Sequence, residues 1–196
     1  LSNVNAAVSI IGEEELDLIT HTHYQEALAR VPGFSGNRNN GQESLMALRS
    51  PVLTGAGACG AFLIAENGIP VRSAGFCNVN EMFDTHSEYA QSIEVIRGPA
   101  SARWGSNALH GLVNVRLPNP GEVGEVTMES GPRGSYRTKA AFGTDSGNFK
   151  QSLYLTGINE EGYRDDSGVD QQKASWLYEY TPVSYTHLTL PTKDSV

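Results

Sequence analysis

Gly55-Ala56-Gly57-Ala58-Cys59-Gly60 fits Gly-x-Gly-x-x-Gly, a loop that brings a pyrophosphate onto backbone N–H groups at a helix N-terminus. His21 and His23 stand two apart, Glu81, Asp84 and Glu88 gather carboxylates, and Cys59 and Cys77 supply two thiols. Each group depends on an element to position it. The glycine loop needs a strand feeding it and a helix leaving it. Here only Val52-Leu53-Thr54 follows Pro51, and the segment beyond breaks at Asn67-Gly68. Two histidines two apart on a helix point to different sides, so they read as surface residues rather than metal ligands. The three carboxylates straddle a loop and a helix start and read as solvated capping charges, not as an acid-base pair. With no local signature of a Ser-His-Asp or Cys-His arrangement, the chain is expected not to be an enzyme and to use no cofactor or metal.

Two cysteines are too few for a zinc site. They are either reduced and buried or paired. Both lie in glycine-rich sequence flanking one hairpin, which favours a Cys59–Cys77 disulfide formed in an oxidising compartment. On the chain-entropy model such a bridge is worth about 3 kcal/mol.

Composition narrows the function classes. The chain has 196 residues, 21 of them glycine, and a formal charge of −8, with mean hydropathy −0.33. It has neither the apolar runs of a helical membrane protein nor the bias of a disordered one. Lysine does not occur before residue 139 and the arginines are scattered, so the basic footprint of a nucleic-acid binder is missing. Leu1 to Ala7 lacks the basic start and apolar core of a signal peptide. If the chain meets a membrane, it must do so as strands.

One stretch, Ser92 to Val115, organises the rest. It reads as a short alternating strand, with Ile93 and Val95 on one face and Glu94 and Ile96 on the other, then a Gly98-Pro99 break, one helical turn, and a second strand over Leu112 to Leu117. Pro99 suits a first helical position, and Gly105 a left-handed residue after the turn. Ile-Glu-Val-Ile-Arg-Gly-Pro followed by Trp-Gly-Ser-Asn-Ala-Leu-His-Gly-Leu-Val-Asn-Val resembles the end of the plug domain of TonB-dependent outer-membrane receptors, in which a globular plug sits inside a large β-barrel and gates nutrient uptake. The residues that carry the resemblance are Glu94, Arg97, Gly98, Pro99, Gly105, Asn107, Gly111 and Asn114.

The chain in order fits that resemblance. Ala6 to Ile11 is a short strand, and Glu13-Glu14-Glu15 then suits a helix N-terminus. Thr22 is placed to cap a second helix from His23 to Val31, with Tyr24, Ala27, Leu28 and Val31 on one face and Pro32-Gly33 as its stop. The polar run Ser35 to Glu43 reads as a solvated connection. By resemblance this loop rises to the outward face, making Arg38, Asn39 and Asn40 ligand-facing candidates. Ser44 to Arg49 alternates toward a strand; many family members have Arg-Gly where this chain has Arg49-Ser50, which puts the turn geometry in question. Ala61 to Val71 is a hairpin about Asn67-Gly68, a pair that accepts positive φ, with Pro70 confined to an unpaired edge. Ser73 to Phe83 reads as a loop, and Thr85-His86-Ser87-Glu88 as a capping box for a helix ending near Gln91.

After residue 121 the pattern becomes long strands of alternating polarity, near the length of a tilted transmembrane strand. Glu125, Thr127 and Glu129 oppose Val126 and Met128; Lys173, Ser175 and Glu179 oppose Trp176, Tyr178 and Tyr180. Tight turns at residues 131–134 and 145–148 and a longer loop at 160–170 connect them. Val183 to Val196 breaks the pattern and resembles a translated cloning linker.

The expected fold class is therefore an α+β plug, a small mixed sheet with short helices over residues 1–120, followed over 121–182 by the first antiparallel strands of an incomplete transmembrane β-barrel. The resemblance implies gated uptake of a siderophore, cobalamin or similar nutrient at the outer membrane of a Gram-negative bacterium. Its implied partners are outer-membrane lipid, a small-molecule ligand and a TonB-type inner-membrane protein that grips a peptide, the Ton box, not in this sequence. Glu94 and Arg97 are expected to be buried charges locking plug to wall through partners in further strands. The rival readings are a soluble periplasmic binding module with an ordinary β-sheet second half, and a receptor that senses its ligand without transporting it.

Overall fold

The computed structural model describes residues 7–38, 44–49, 62–71, 79–100, 102–105, 108–162 and 164–182. The cysteines, the glycine loop at 55–60, Asn39, Asn40, Asn107, Ser50 and the tail from 183 lie outside them.

The first half is a five-stranded mixed sheet in the order β1-β6-β7-β4-β5. Its strands are β1 (Ala7–Gly12), β4 (Phe62–Glu66), β5 (Ile69–Pro70), β6 (Ser92–Arg97) and β7 (Gly111–Arg116). The organising stretch supplies the two central strands: β6 pairs antiparallel with both β1 and β7, and β7 pairs parallel with β4. Pro70 falls on edge strand β5, where its missing N–H costs no ladder bond. Asn67 and Gly68 turn the β4–β5 hairpin at φ 49° and 81°, the left-handed pair a two-residue loop demands. A separate ribbon pairs β2 (Phe34–Arg38) with β3 (Ser44–Leu48). The stretch expected to be solvated loop thus begins as a strand: Ser44 to Leu48 offers a buried partner, and cross-strand bonds outweigh the low propensity of Ser-Gly-Asn.

Two short helices cover one face. α1 (Glu13–Ile19) carries three glutamates in its first turn and buries Leu16. α2 (Tyr24–Leu28) is shorter than the apolar spacing predicts, and its cap is His23, not Thr22. His23 Nδ1 accepts from the Gln25 N–H at 3.0 Å while the Glu26 carboxylate accepts from the His23 N–H at 3.5 Å. Tyr24, Ala27, Leu28 and Val31 are buried as that spacing requires. The Ile93/Val95 face of β6 joins them in the main core, while Ile96 packs with Leu63, Ala65, Ala108 and Leu112 on the other side.

The second half is a four-stranded antiparallel meander, order β11-β10-β9-β8: β8 (Val123–Ser130), β9 (Tyr136–Asp145), β10 (Phe149–Glu160) and β11 (Val169–Tyr180). Alternation sorts its side chains into two faces. Ala141, Ser152, Tyr154, Thr156 and Ile158 are buried against the mixed sheet and its helices, whereas Val126, Met128, Phe142, Leu153, Leu155, Trp176, Tyr178 and Tyr180 are exposed on the other side. In this meander no row of partners closes into a barrel. Among the described residues no helix is long and apolar enough to cross a membrane.

Candidate functional site

Two places in the molecule are built from polar side chains that the fold holds in fixed positions: the stretch from β6 to β7, and the seam between the mixed sheet and the meander.

In the first, each residue has a backbone reason. Gly98 adopts φ 115° and Gly105 φ 73°, both left-handed conformations that favour glycine. Between them the helical turn is a 3-10 turn over Ala102–Trp104, so Pro99 precedes it instead of opening it. The ladder runs on past the strands through Gly98 N–H to His110 O at 2.8 Å and Ala100 N–H to Ala108 O at 2.9 Å, closing the excursion at its neck. A Cβ on Gly111 would collide with the Ile96 carbonyl oxygen and the Leu48 side chain, so β7 starts on a residue without one. Asn114 is buried and joins two neighbouring strands: its amide donates to Glu94 at 2.8 Å and its oxygen accepts from the Gly68 N–H at 2.9 Å. Glu94 therefore has a partner inside the mixed sheet. Arg97 differs: its Nε is buried and without a hydrogen-bond partner among the described residues.

The seam is where sequence reasoning misplaced the most residues. The segment over 85–90 contains no capping box. Its 3-10 turn (Ser87–Tyr89) has no side-chain cap, and Thr85 Oγ1 donates backwards to Met82 O at 2.6 Å. His86 is 1% exposed and spans the seam. Its Nε2 lies 2.8 Å from Thr156 Oγ1 on β10, its Nδ1 2.9 Å from Ser175 Oγ on β11, and its backbone N–H donates to the Glu66 carboxylate of β4 at 2.7 Å. Burial pushes the His86 imidazole down to about 4, so it is neutral at pH 7.

Glu88 is not a solvated charge. Lys173 of β11 donates to both its oxygens at 2.8 and 3.0 Å, and to Thr85 O at 2.8 Å. Burial pushes the Glu88 carboxyl up, but the Lys173 ammonium outweighs that and holds it below the ordinary carboxylate range. Asp84 is exposed and takes no part, and the Glu81 side chain lies outside the described residues.

Nor do His21 and His23 lie on the surface; they are 4% and 0% exposed. His21 Nε2 meets Ser87 Oγ at 3.0 Å, and burial lowers its pKa. Arg137 of β9 reaches across to the end of α1, donating to Thr20 O at 2.9 Å, His21 O at 2.8 Å and Thr22 Oγ1 at 3.1 Å, where the helix presents unpaired carbonyls. Lys139 Nζ sits 4.5 Å from the centre of the Tyr89 ring, which packs on Tyr154 of β10. A visible signal for this seam existed in the sequence: Arg137, Lys139, Lys173 and Ser175 alternate along two strands on the faces opposite the apolar ones. Their partners, fifty or more positions away, left no local trace.

Arg38 lies at the end of β2, beside Glu26 at 3.4 Å, and is not brought to any of these contacts. Chemically the seam binds two surfaces together: Lys173 and the Arg137 terminal nitrogens donate across it and the Thr156, Ser175 and Ser87 hydroxyls meet histidines, while Tyr89 Oη and Arg137 Nε are buried without a hydrogen-bond partner among the described residues.

Comparison with known proteins places this arrangement. A family model described as the TonB-dependent Receptor Plug Domain matches residues 1–112. A curated relative, the vitamin B12 transporter BtuB of Photobacterium profundum, is 32% identical over 142 residues, 70% of this chain and 22% of that protein. Among solved structures, the ferric yersiniabactin uptake receptor FyuA from Yersinia pestis superposes with TM-score 0.68 at 19% identity, covering 90% of this chain and 29% of that one. The pyoverdine outer membrane receptor FpvA from Pseudomonas aeruginosa PAO1 gives TM-score 0.72 at 14% identity, covering 90% and 25%. Both structures share the fold: a plug-like mixed sheet with few helices followed by antiparallel strands. The chain spans about a fifth of the length of the curated relative it matches.

Proposed function

The chain belongs to the TonB-dependent receptor plug domain family, and from that premise we propose that it is the plug and first wall strands of a receptor that imports a scarce nutrient, a siderophore or cobalamin, across the outer membrane of a Gram-negative bacterium. Residues 1–120 are the plug, 121–182 the opening strands of the barrel wall, and 183–196 a non-native tail.

One arrangement supports the reading. The plug docks by buried polar contacts on one face of a meander whose other face exposes Val126, Met128, Leu153, Leu155 and Trp176, each more than a third exposed. Such a face invites aggregation in water and suits hydrocarbon. Its strands run 8 to 12 residues, close to what a tilted strand needs to span a bilayer. Phe142, Phe149, Trp176, Tyr178 and Tyr180 gather toward the turn at 145–148, with Tyr136 at the far end, as two interfacial girdles would.

Ligand enters from the outward face, where Arg38, Asn39 and Asn40 are its candidate contacts. A TonB-type protein pulls the plug from below through an N-terminal peptide added as a strand. Glu94 and Arg97 stabilise the docked plug, Glu94 through Asn114 within the mixed sheet; Arg97, whose Nε is buried without a hydrogen-bond partner among the described residues, awaits an acceptor from a wall strand. Arg97→Ala in the complete receptor loosens the plug and raises sensitivity to large antibiotics; unchanged sensitivity removes that role.

The deciding experiment expresses the complete gene in a strain stripped of its own receptors and follows labelled cobalamin and ferric siderophores with and without the energy-coupling protein. Accumulation of one of them that requires the coupling protein is expected. Entry that proceeds equally without that protein would overturn the proposal.

A further inference from the structure

We propose that His86 positions the plug against wall strands β10 and β11 only while it is neutral, so that residues 85–90 act as a bolt that protons withdraw.

The geometry carries the idea. The 85–90 segment touches both bodies at once: His86 bridges Thr156 and Ser175 on two adjacent wall strands, its own N–H is held by Glu66 on β4, and Ser87 is held by His21. Among the described contacts across the seam, this bridge spans two wall strands from a single ring. A neutral imidazole donates from one nitrogen and accepts at the other, and hydroxyls can serve either role. Both ring nitrogens are therefore satisfied without charge, in a site 1% exposed.

Adding a proton is unfavourable on balance: burial opposes the charge most, and the Glu88 carboxylate, which favours it, does not offset that. The ring would carry its charge beside the Lys173 ammonium of β11 and the Lys139 ammonium of β9, both of which push its pKa down. Of the carboxylates, Glu88 is already engaged by Lys173, and Glu66 holds the His86 N–H. The remaining neighbours are the Tyr89 ring, edge-on at 5.3 Å, and Tyr154 behind it. Below the bolt, His21 is likewise buried and more easily left neutral.

The sign follows from linkage. A histidine whose pKa is depressed on docking leaves the docked state fully favoured above its free value near 6.5, and docking weakens as pH falls from there toward about 4. Between pH 7.5 and pH 5 this amounts to about 30-fold in the docking equilibrium. The consequence for transport, easier withdrawal of the plug in acid surroundings, rests on the uptake reading above; the bolt itself does not.

The test uses the complete receptor in detergent, with neither ligand nor energy source, so it stands apart from any uptake assay. Amide hydrogen exchange of residues 85–90, corrected for the intrinsic pH dependence of exchange, gives a protection factor at each pH. Wild type is expected to lose about 30-fold protection between pH 7.5 and 5. His86→Gln keeps a donor and an acceptor without a titrating group, and is expected to change less than about threefold, with His86→Asn as a second non-titrating variant. Should both variants be unprotected at pH 7.5, the wild-type profile decides, since its midpoint must lie below 6.5. A flat wild-type profile overturns the bolt, and so does a variant that loses as much protection as wild type.

Discussion

The plug and the wall solve the same problem, where to put the backbone's hydrogen bonds, in opposite ways. The wall is periodic: four strands joined in chain order, each residue assigned to a face by alternation alone. The plug is aperiodic: its sheet order β1-β6-β7-β4-β5 brings together strands from distant parts of the chain, and single residues such as Gly98, Gly111 and Asn114 make the pairings possible. A periodic region spreads its information over many residues and tolerates change at most of them. An aperiodic one concentrates it. The seam joins the two, with wall residues placed by alternation meeting plug residues placed by specific contacts.

The largest effect is expected where the two regions meet. Lys173→Met leaves the Glu88 carboxylate, whose side chain is 3% exposed, without its cation. Breaking a buried pair from one side costs about 3–5 kcal/mol. The complete receptor should show it as a fall in the denaturant midpoint for plug undocking while the wall's own transition holds. A joint shift of both transitions would mean that the two regions do not separate.

Next comes a substitution that tests the wall's periodicity. Leu155 lies mid-strand on the outward face, between the inward Tyr154 and Thr156. Leu155→Arg should cost about 2–4 kcal/mol in a lipid bilayer, and far less for a sheet whose outer face meets water. Folding of the variant into vesicles, compared with wild type by urea titration, separates the membrane wall from the soluble module that the sequence also allowed. Gly111→Ala probes the plug's concentrated information: its methyl has to displace both the Ile96 carbonyl and the Leu48 side chain, at about 1–3 kcal/mol. Ala in place of Gly157 on β10, where a Cβ meets nothing within 4 Å, is the matched control.

The difference between the regions also explains what the sequence disclosed. All four wall strands, both tight turns and the two faces were legible, because alternation is a local signal. In the plug the central strands and the Asn67-Gly68 turn were legible for the same reason: their chemistry lies within a few residues. The β2 strand was not, since Phe34 to Arg38 becomes extended only through pairing with β3. His21 and His23 were misplaced outward because nothing adjacent to them announces the partners that bury them, Ser87 for His21 and the Phe83 ring for His23. The α2 cap was missed because Thr22 is the better cap by type, yet the Thr22 hydroxyl is taken by Arg137 and the cap falls to His23. Tertiary partners decided each of these cases.

The smallest expected effect sharpens what the seam means. Arg30 and Glu15 make an ion pair within the plug at 3.0 Å, almost the length of the Lys173–Glu88 contact, but their side chains are 49% and 45% exposed. Water competes for both charges and salt screens them, so Arg30→Met should cost less than about 0.5 kcal/mol. The two Met variants therefore remove pairs of nearly equal length and predict losses several-fold apart, read from the same denaturation curves. If Arg30→Met cost as much as Lys173→Met, separation and not burial would be setting the strength of these pairs, and the seam would lose its claim to hold the plug more firmly than any surface contact.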